Sequence, residues 1–389
     1  MTLPPDLPAL PLPEGIRTRH VDNHNGLTMH VLEAGWQDRT RPALLLLHGF
    51  PELAYSWRKA MLPLAQAGFH VIAPDQRGYG RTTGWDPRYD GDLAPFRMLN
   101  LARDAVGLLH ALGRRSVHAV IGHDFGSPVA AWCALTRPDV FRSLVLMSAP
   151  FGGPPALPFD TADGAGAAPA PARAGASDPS AALAALPRPR KHYQWYYSTR
   201  EADGDMRNCP QGVHAFLRAY YHHKSADWAE NRPYPLAGWE AAELAKMPTY
   251  YVMDRDETMP QTVAHVMPTD AQIAACTWLT DAEMRVYSAE YARTGFQGGL
   301  QWYRCGTSGR FVSEMQLYGG RAIDVPSTFI AGSSDWGVYQ KPGELERMRT
   351  TACTDMRSVD LVDGAGHWVQ QEQPQAVVSL LQRFLSRVA

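Results

Sequence analysis

Cysteine is scarce in this 389-residue chain: there are five, Cys133, Cys209, Cys276, Cys305 and Cys353, far apart and with no CxxC pair. So sparse and odd a set argues against a disulfide framework or a cysteine zinc site and fits a reducing compartment. Net charge is lacking too. Its 37 Lys and Arg against 39 Asp and Glu leave −2, so nothing draws the chain toward nucleic acid or an anionic membrane surface. No apolar run reaches the roughly 18 residues that a membrane-spanning helix needs. Met1-Thr2-Leu3-Pro4-Pro5 lacks the basic and then apolar pattern of a signal peptide, and a cytoplasmic location is expected. No repeat of fixed period is apparent. What remains is 45% hydrophobic and 20% charged residues, enough for one large core and a smaller accessory domain.

The first segment alternates polar and apolar residues. Ile16 to Val21 and Leu27 to Leu32 read as strands joined across Asn25-Gly26, a hairpin signal. Then come short continuous apolar runs: Leu44 to Leu47, His70 to Ala73, Val117 to Ile121 and Leu144 to Met147. Such runs suit strands covered on both faces. Helical patterns at Trp57 to Ala67, Leu101 to Leu112 and Pro128 to Thr136 lie between them, so the spacing predicts βαβ units and a mostly parallel sheet. The alternation stops at Pro150. Residues of about 154–187 are rich in Ala, Pro and Gly, a composition that buries too little surface to offset its ordering entropy, with a short helix at Ala181 to Leu186. From Lys191 to Tyr318 the chain is rich in Tyr and Trp and reads mainly helical. Strands return at Ser327 to Ala331 and Ser358 to Leu361, and an amphipathic helix runs from Pro374 to Arg387. The expected architecture is an α/β core in two parts, 1–150 and 319–389, flanked by helices and interrupted by a helical lid over 151–318.

The sharpest signal is Gly122-His123-Asp124-Phe125-Gly126. An apolar strand ends, small residues stand two positions either side of one polar residue, and a helix follows. This is a nucleophile elbow with Asp in place of Ser. Cβ atoms at Gly122 and Gly126 would strike the neighbouring helix and strand. Ser127 is read as the N-cap and Pro128 as the first helical residue. A carboxylate at the apex suits displacement at saturated carbon, forming an alkyl-enzyme ester, and so points to epoxides or alkyl halides.

The ester needs water and a base. Of the 14 His, His367 is distinguished by Gly364-Ala365-Gly366-His367-Trp368 between the last strand and the last helix. Asp335, after the strand that ends at Ala331, is placed to orient it. The order nucleophile, acid, base follows. His48-Gly49-Phe50-Pro51 ends the first buried strand, and the N–H groups of Phe50 and Phe125 are expected to form an oxyanion hole. His48 and His123 are read as structural, and Asp75 and Arg77 as members of a hydrogen-bonded loop.

These segments resemble the soluble epoxide hydrolases of the α/β-hydrolase superfamily. The likeness extends to Glu52 and Tyr55-Ser56-Trp57-Arg58, to Gly366-His367-Trp368-Val369-Gln370, and to two lid segments, His192-Tyr193-Gln194-Trp195-Tyr196-Tyr197 and Gly295 to Arg304. It implies that Tyr193 and Tyr303 donate hydrogen bonds to the epoxide oxygen, with Tyr196 and Tyr197 as neighbouring alternatives to the first. Chemistry agrees, because ring opening leaves an alkoxide that needs a proton donor in a dry site. The likeness lapses over the Ala/Pro-rich segment and over about 225–275, where this lid is longer. A lid rich in Trp, Tyr and Met predicts an apolar pocket, lined by Trp195, Trp302 and Trp368, for a hydrophobic epoxide over a small ionic one. No metal or organic cofactor is implied, and a homo-oligomer is left open. A haloalkane or haloacid dehalogenase would use the same Asp-His-Asp set with halide or carboxylate binders, but Phe125 stands where such enzymes place Trp or Arg. A serine esterase is disfavoured because Ser127 is off the apex. A non-catalytic ligand-binding relative is disfavoured by the intact triad.

Overall fold

The computed structural model describes residues 7–159 and 178–388. Residues 160–177 of the Ala/Pro-rich segment lie outside the described residues.

Among the described residues there are ten strands: β1 (Ile16–Asp22), β2 (Thr28–Ala34), β3 (Ala43–Leu47), β4 (His70–Pro74), β5 (Ala119–His123), β6 (Leu144–Met147), β7 (Arg190–His192), β8 (Val252–Asp254), β9 (Ser327–Gly332) and β10 (Met356–Val362). Eight of them form one sheet in the order β1-β2-β4-β3-β5-β6-β9-β10. β2 runs antiparallel to β1 and β4, and the remaining pairs are parallel. The all-leucine stretch of β3 shows why apolar runs mark this sheet. Leu45 and Leu47 face one buried cluster, and Leu44 and Leu46 face another. Successive side chains on a strand point to opposite faces, and both faces are covered.

Helices α1 (Arg58–Gln66), α2 (Met98–Ala111) and α3 (Gly126–Thr136) alternate with the first core strands. Between β6 and β9 the chain leaves the sheet for the lid. There it forms α4 (Ser180–Ala184), α5 (Tyr193–Tyr197), α6 (Glu201–Arg207), α7 (Gly212–Lys224), α8 (Ala241–Leu244), α9 (Met259–Ala264), α10 (Asp270–Ala275), α11 (Asp281–Thr294), α12 (Gln297–Thr307) and α13 (Val312–Gln316). The core resumes with α14 (Glu344–Arg347), α15 (Val369–Glu372) and α16 (Pro374–Leu385). Three lid helices begin with reciprocal capping boxes, at Thr258/Gln261, Thr269/Gln272 and Thr280/Glu283. Each satisfies two backbone donors that a helix start would leave open.

The expected β1–β2 hairpin is present, its strands joined by a five-residue loop that contains Asn25-Gly26 and is closed by the Asp22–Thr28 pair. The Asn23 side chain accepts from the N–H groups of Asn25 and Leu27, which braces the loop. Two expectations need correction. The lid contains a short antiparallel ribbon, β7–β8, whose three-residue strands are too brief to show a period. Finally, α3 starts at Gly126. Ser127 is therefore inside the first turn, not its cap, and its hydroxyl donates to Ala149 O at 2.6 Å.

Candidate active site

Asp124 follows β5 with φ +52°, a left-handed conformation that bends the chain sharply into α3. The bend works because Gly122 and Gly126 lack side chains. A Cβ at Gly122 would lie 2.0 Å from Gly126 O, and one at Gly126 would lie 2.3 Å from Leu47 O. The Asp124 carboxylate is held on both oxygens. The Phe50 N–H donates to Oδ1 at 2.9 Å, and His367 Nε2 lies 3.0 Å from Oδ2. His367 Nδ1 is 3.0 Å from Asp335 Oδ1, which also accepts from the Gly337 N–H at 2.7 Å. Asp335 is 1% exposed. Asp124, His367, Asp335 and Phe50 thus form one continuous chain of hydrogen bonds. Phe125 stands at the start of α3.

Electrostatics at this chain oppose burial. Desolvation alone would raise the Asp124 pKa, yet the hydrogen bond and charge of His367, joined by the charges of Lys224 and His123, hold it well below the ordinary carboxylate range. The same opposition, with His367 as main partner, lowers Asp335.

Both sequence-singled tyrosines come from the lid and meet above the elbow. The Tyr193 and Tyr303 ring centroids are 5.9 Å apart, and Tyr303 packs edge-on against Phe125 and Phe50 at 5.1 and 5.5 Å. Burial first, and then the Asp124 charge, push both phenols well above their usual pKa, so both remain protonated donors. Their starting positions differ. The Tyr193 hydroxyl donates to Gln340 Oε1 at 2.9 Å and accepts from Gln194 Nε2, whereas the Tyr303 hydroxyl has no hydrogen-bond partner among the described residues. Of the neighbouring alternatives, the Tyr196 hydroxyl is taken by Asp205 at 2.9 Å, while the Tyr197 ring lies 5.1 Å from that of Tyr303.

The three tryptophans sit elsewhere than expected. Trp302 and Trp368 are buried, and their indole N–H groups donate to Arg77 O and Tyr221 O. Trp302 backs Phe125 at 5.2 Å and Trp368 backs His367 at 4.7 Å, so they support the site from behind rather than line it. Trp195 is half-buried and packs edge-on against His192. Aromatic composition predicted an apolar lid but not which rings face inward.

A second, fully buried network lies behind the triad. His123 Nδ1 is 2.6 Å from Glu52 Oε2, and Gln370 and Gln371 donate to Glu52 Oε1. His123 Nε2 lies 2.7 Å from His367 O. His48 accepts from the Gln76 N–H and Asp75 is paired with His30, consistent with structural roles. Arg77 grips Asp104 through two contacts of 2.7 Å. Glu372 accepts from the N–H groups of Gly366, Trp368 and the lid residue Ala226, tying the histidine loop to the lid. Gln340, Glu372 and Lys224 escaped the sequence reading; only the Gln370-Gln371-Glu372 run beside His367 hinted at such a network. Among the described residues, no group of three or more His, Cys, Asp or Glu is placed to hold a metal ion, and no helix is long and apolar enough to cross a membrane.

The docking of α12 depends on a backbone crossing. A Cβ at Gly298 would lie 2.0 Å from Gly78 O, and one at Gly78 would lie 2.5 Å from Gly298 O. Neither neighbour is a movable side chain. Gly298→Ala is expected to destabilise the protein by about 2 kcal/mol and to displace Tyr303, five residues along the same helix. Chemical denaturation and turnover measured together check this; a fully stable, fully active variant would refute it.

Comparison with known proteins points one way. Residues 42–374 match the family model described as alpha/beta hydrolase fold. Epoxide hydrolase A of Mycobacterium tuberculosis is 31% identical over 381 residues, covering 96% of this chain and 98% of that protein. Among solved structures, an epoxide hydrolase from an endophytic Streptomyces superposes with a TM-score of 0.73 at 29% identity, covering 96% of each chain. Epoxide Hydrolase A from Mycobacterium thermoresistibile does so with a TM-score of 0.73 at 31% identity, covering 96% of this chain and 99% of its own. An aspartate elbow, its histidine and acid, and a fold shared from end to end with these relatives place the chain in the epoxide hydrolase family of the α/β-hydrolase fold.

Proposed function

We propose that the protein hydrolyses an epoxide to a vicinal diol through a covalent ester on Asp124. Oδ2 attacks a ring carbon and the C–O bond to the epoxide oxygen breaks. The developing alkoxide takes its proton from the pair Tyr193 and Tyr303, which are restored from solvent. Oδ1, held by the Phe50 N–H, becomes the ester carbonyl oxygen. His367, oriented by Asp335, then removes a proton from water. The hydroxide adds to the Asp124 carbonyl carbon, and the Phe50 and Phe125 N–H groups stabilise the oxyanion. Cleavage of the Cγ–Oδ2 bond releases the diol, whose proton returns from His367.

What carries this reading is the chemistry of a carboxylate at the elbow apex, with a backbone donor at 2.9 Å on one oxygen and the triad histidine at 3.0 Å from the other. The substrate expected from the aromatic surroundings is a small epoxide with an apolar body. A single turnover in oxygen-18 water, with enzyme in excess, tests the covalent route. The label is expected in the Asp124 peptide and not in the diol. Label that goes straight into the diol would rule out the ester. Incubation with a chloroalkane is expected to release no halide, and rapid halide release would favour the dehalogenase reading.

A further inference from the structure

A second cavity, of about 200 Å³, lies in the lid, and none of Asp124, His367, Tyr193 and Tyr303 lines it. Its walls come from α7 and the chain just after it, and from α10 and the segment that follows. Arg218, Tyr221 and His222 of α7 form a buried side. Asp227 and Gln272 are exposed and Cys276 is half-buried, so the cavity opens to solvent.

Arg218 is 4% exposed, yet its hydrogen bonding is incomplete. Nη1 donates to Leu279 O at 2.8 Å, while Nε and Nη2 have no hydrogen-bond partner among the described residues. Asp281 Oδ1 lies 3.7 Å from Nη2, beyond hydrogen-bond reach, and Asp281 is already held by His214 and Arg285. A buried donor left unmade costs more than a made bond returns. Nε and Nη2 are the two nitrogens whose parallel N–H groups fit a carboxylate, and Arg77 uses that same pair on Asp104. Burial lowers the pKa of His222, which keeps its imidazole neutral and leaves Arg218 as the cation of this wall. The facing wall is unfinished too. None of the six residues of α10 is buried, and its Ile273, which lines the cavity, is half-buried. So short a helix draws its stability from packing, and here its apolar side faces open space.

We infer that this cavity is a binding site, separate from the catalytic one, for a monocarboxylate with a ring-sized apolar body. The carboxylate seats on Arg218 Nε and Nη2, and the body lies against Ile273 and the Trp278 ring. A void of roughly 150 Å³ takes one benzene ring, so this cavity has room for a ring and its carboxylate. A phosphate dianion fits less well, because Asp227 on the rim and Asp281 nearby would repel it and one guanidinium offsets them. Asp227 is itself occupied, accepting from the Trp278 indole N–H at 2.7 Å. The buried wall leads to the triad. The Tyr221 ring stacks on Trp368 at 4.1 Å, and the Tyr221 carbonyl accepts from the Trp368 indole N–H at 2.9 Å. Asp227 and Ile273 belong to the lid stretch of about 225–275, where the sequence departs from the family pattern, so the site is built in part from what sets this lid apart.

Calorimetric titration with benzoate tests the site. The wild type is expected to bind it saturably, and Arg218→Met to weaken binding about 10- to 100-fold, as when hydrogen bonds to a charged group are lost. Ile273→Trp is expected to abolish binding by filling the cavity, from a helix that buries nothing and so tolerates the change. Thiol labelling with peptide mapping locates the ligand. Benzoate is expected to slow modification of Cys276 in the wild type but not in Arg218→Met, and to leave Cys305, which is half-buried elsewhere, unaffected. No benzoate binding to the wild type, binding unchanged in both variants, or no protection of Cys276 overturns the assignment. Inhibition of turnover that is competitive with an epoxide and equal in wild type and Arg218→Met would place benzoate in the catalytic site and overturn it as well. Inorganic phosphate that protects Cys276 better than benzoate would refute the ligand class.

Discussion

His367→Gln is expected to stop turnover while still reacting once with substrate. On the proposed mechanism, ring opening needs the Asp124 carboxylate and the tyrosine donors, and only the second step needs a base. Gln occupies a similar volume and retains polar atoms, but it cannot take a proton from water. General base assistance contributes up to about 10⁴-fold, so the ester should persist for hours. Intact-mass spectrometry after incubation with an aryl epoxide should show a gain equal to the whole mass of the substrate, because addition opens the ring and expels nothing. Digestion should place the gain on the peptide that contains Asp124. An unmodified variant would mean that His367 acts before or during ring opening. A variant that still turns over would remove it from the base role.

Replacing both lid phenols should block the earlier step instead. Tyr193→Phe and Tyr303→Phe each remove one donor to the developing alkoxide. By analogy with oxyanion-hole deletions each is worth about 3 kcal/mol, or on the order of 100-fold in the alkylation rate. The double variant should therefore be nearly inert, with no accumulated ester. The free hydroxyl of Tyr303 points to the larger single effect, because the Tyr193 proton must first leave Gln340. Stopped-flow quenching of tryptophan fluorescence isolates this step, and a double variant that alkylates at the wild-type rate would exclude both phenols. The pH dependence follows from the same environment. A phenol donates only while protonated, and both pKa values lie well above 10, so the wild-type alkylation rate should not fall below about pH 10. The nucleophile must be ionised, and its pKa is depressed, so Asp124 should impose no acid limb above about pH 4. An alkaline decline near pH 8 would contradict the assigned donors.

Much of the core was legible because its signals are local. A strand buried on both faces must be a continuous apolar run, so β3, β4, β5 and β6 stand out, with β6 matching its expected bounds of Leu144 to Met147. An elbow that tolerates no Cβ at two positions must carry Gly122 and Gly126. The acid and base follow from the order of strands, and Asp335 and Asp124 do each meet His367, both at 3.0 Å. The β1–β2 hairpin was legible at Asn25-Gly26, while the bracing of its loop by the Asn23 side chain appears only in the structure.

The amino-acid order by itself determined the sheet, the inserted lid and which aspartates and histidine converge at the elbow, since periodicity and steric tolerance are properties of neighbouring residues. Only the tertiary structure decided which of 16 tyrosines and 11 tryptophans face the carboxylate. It placed Trp302 and Trp368 behind the site, left the Tyr303 proton free and set Arg218 on the wall of a second cavity. Those outcomes depend on how distant helices cross, at contacts as close as Gly78 against Gly298, and a side chain's surroundings there are set by segments far from it in sequence.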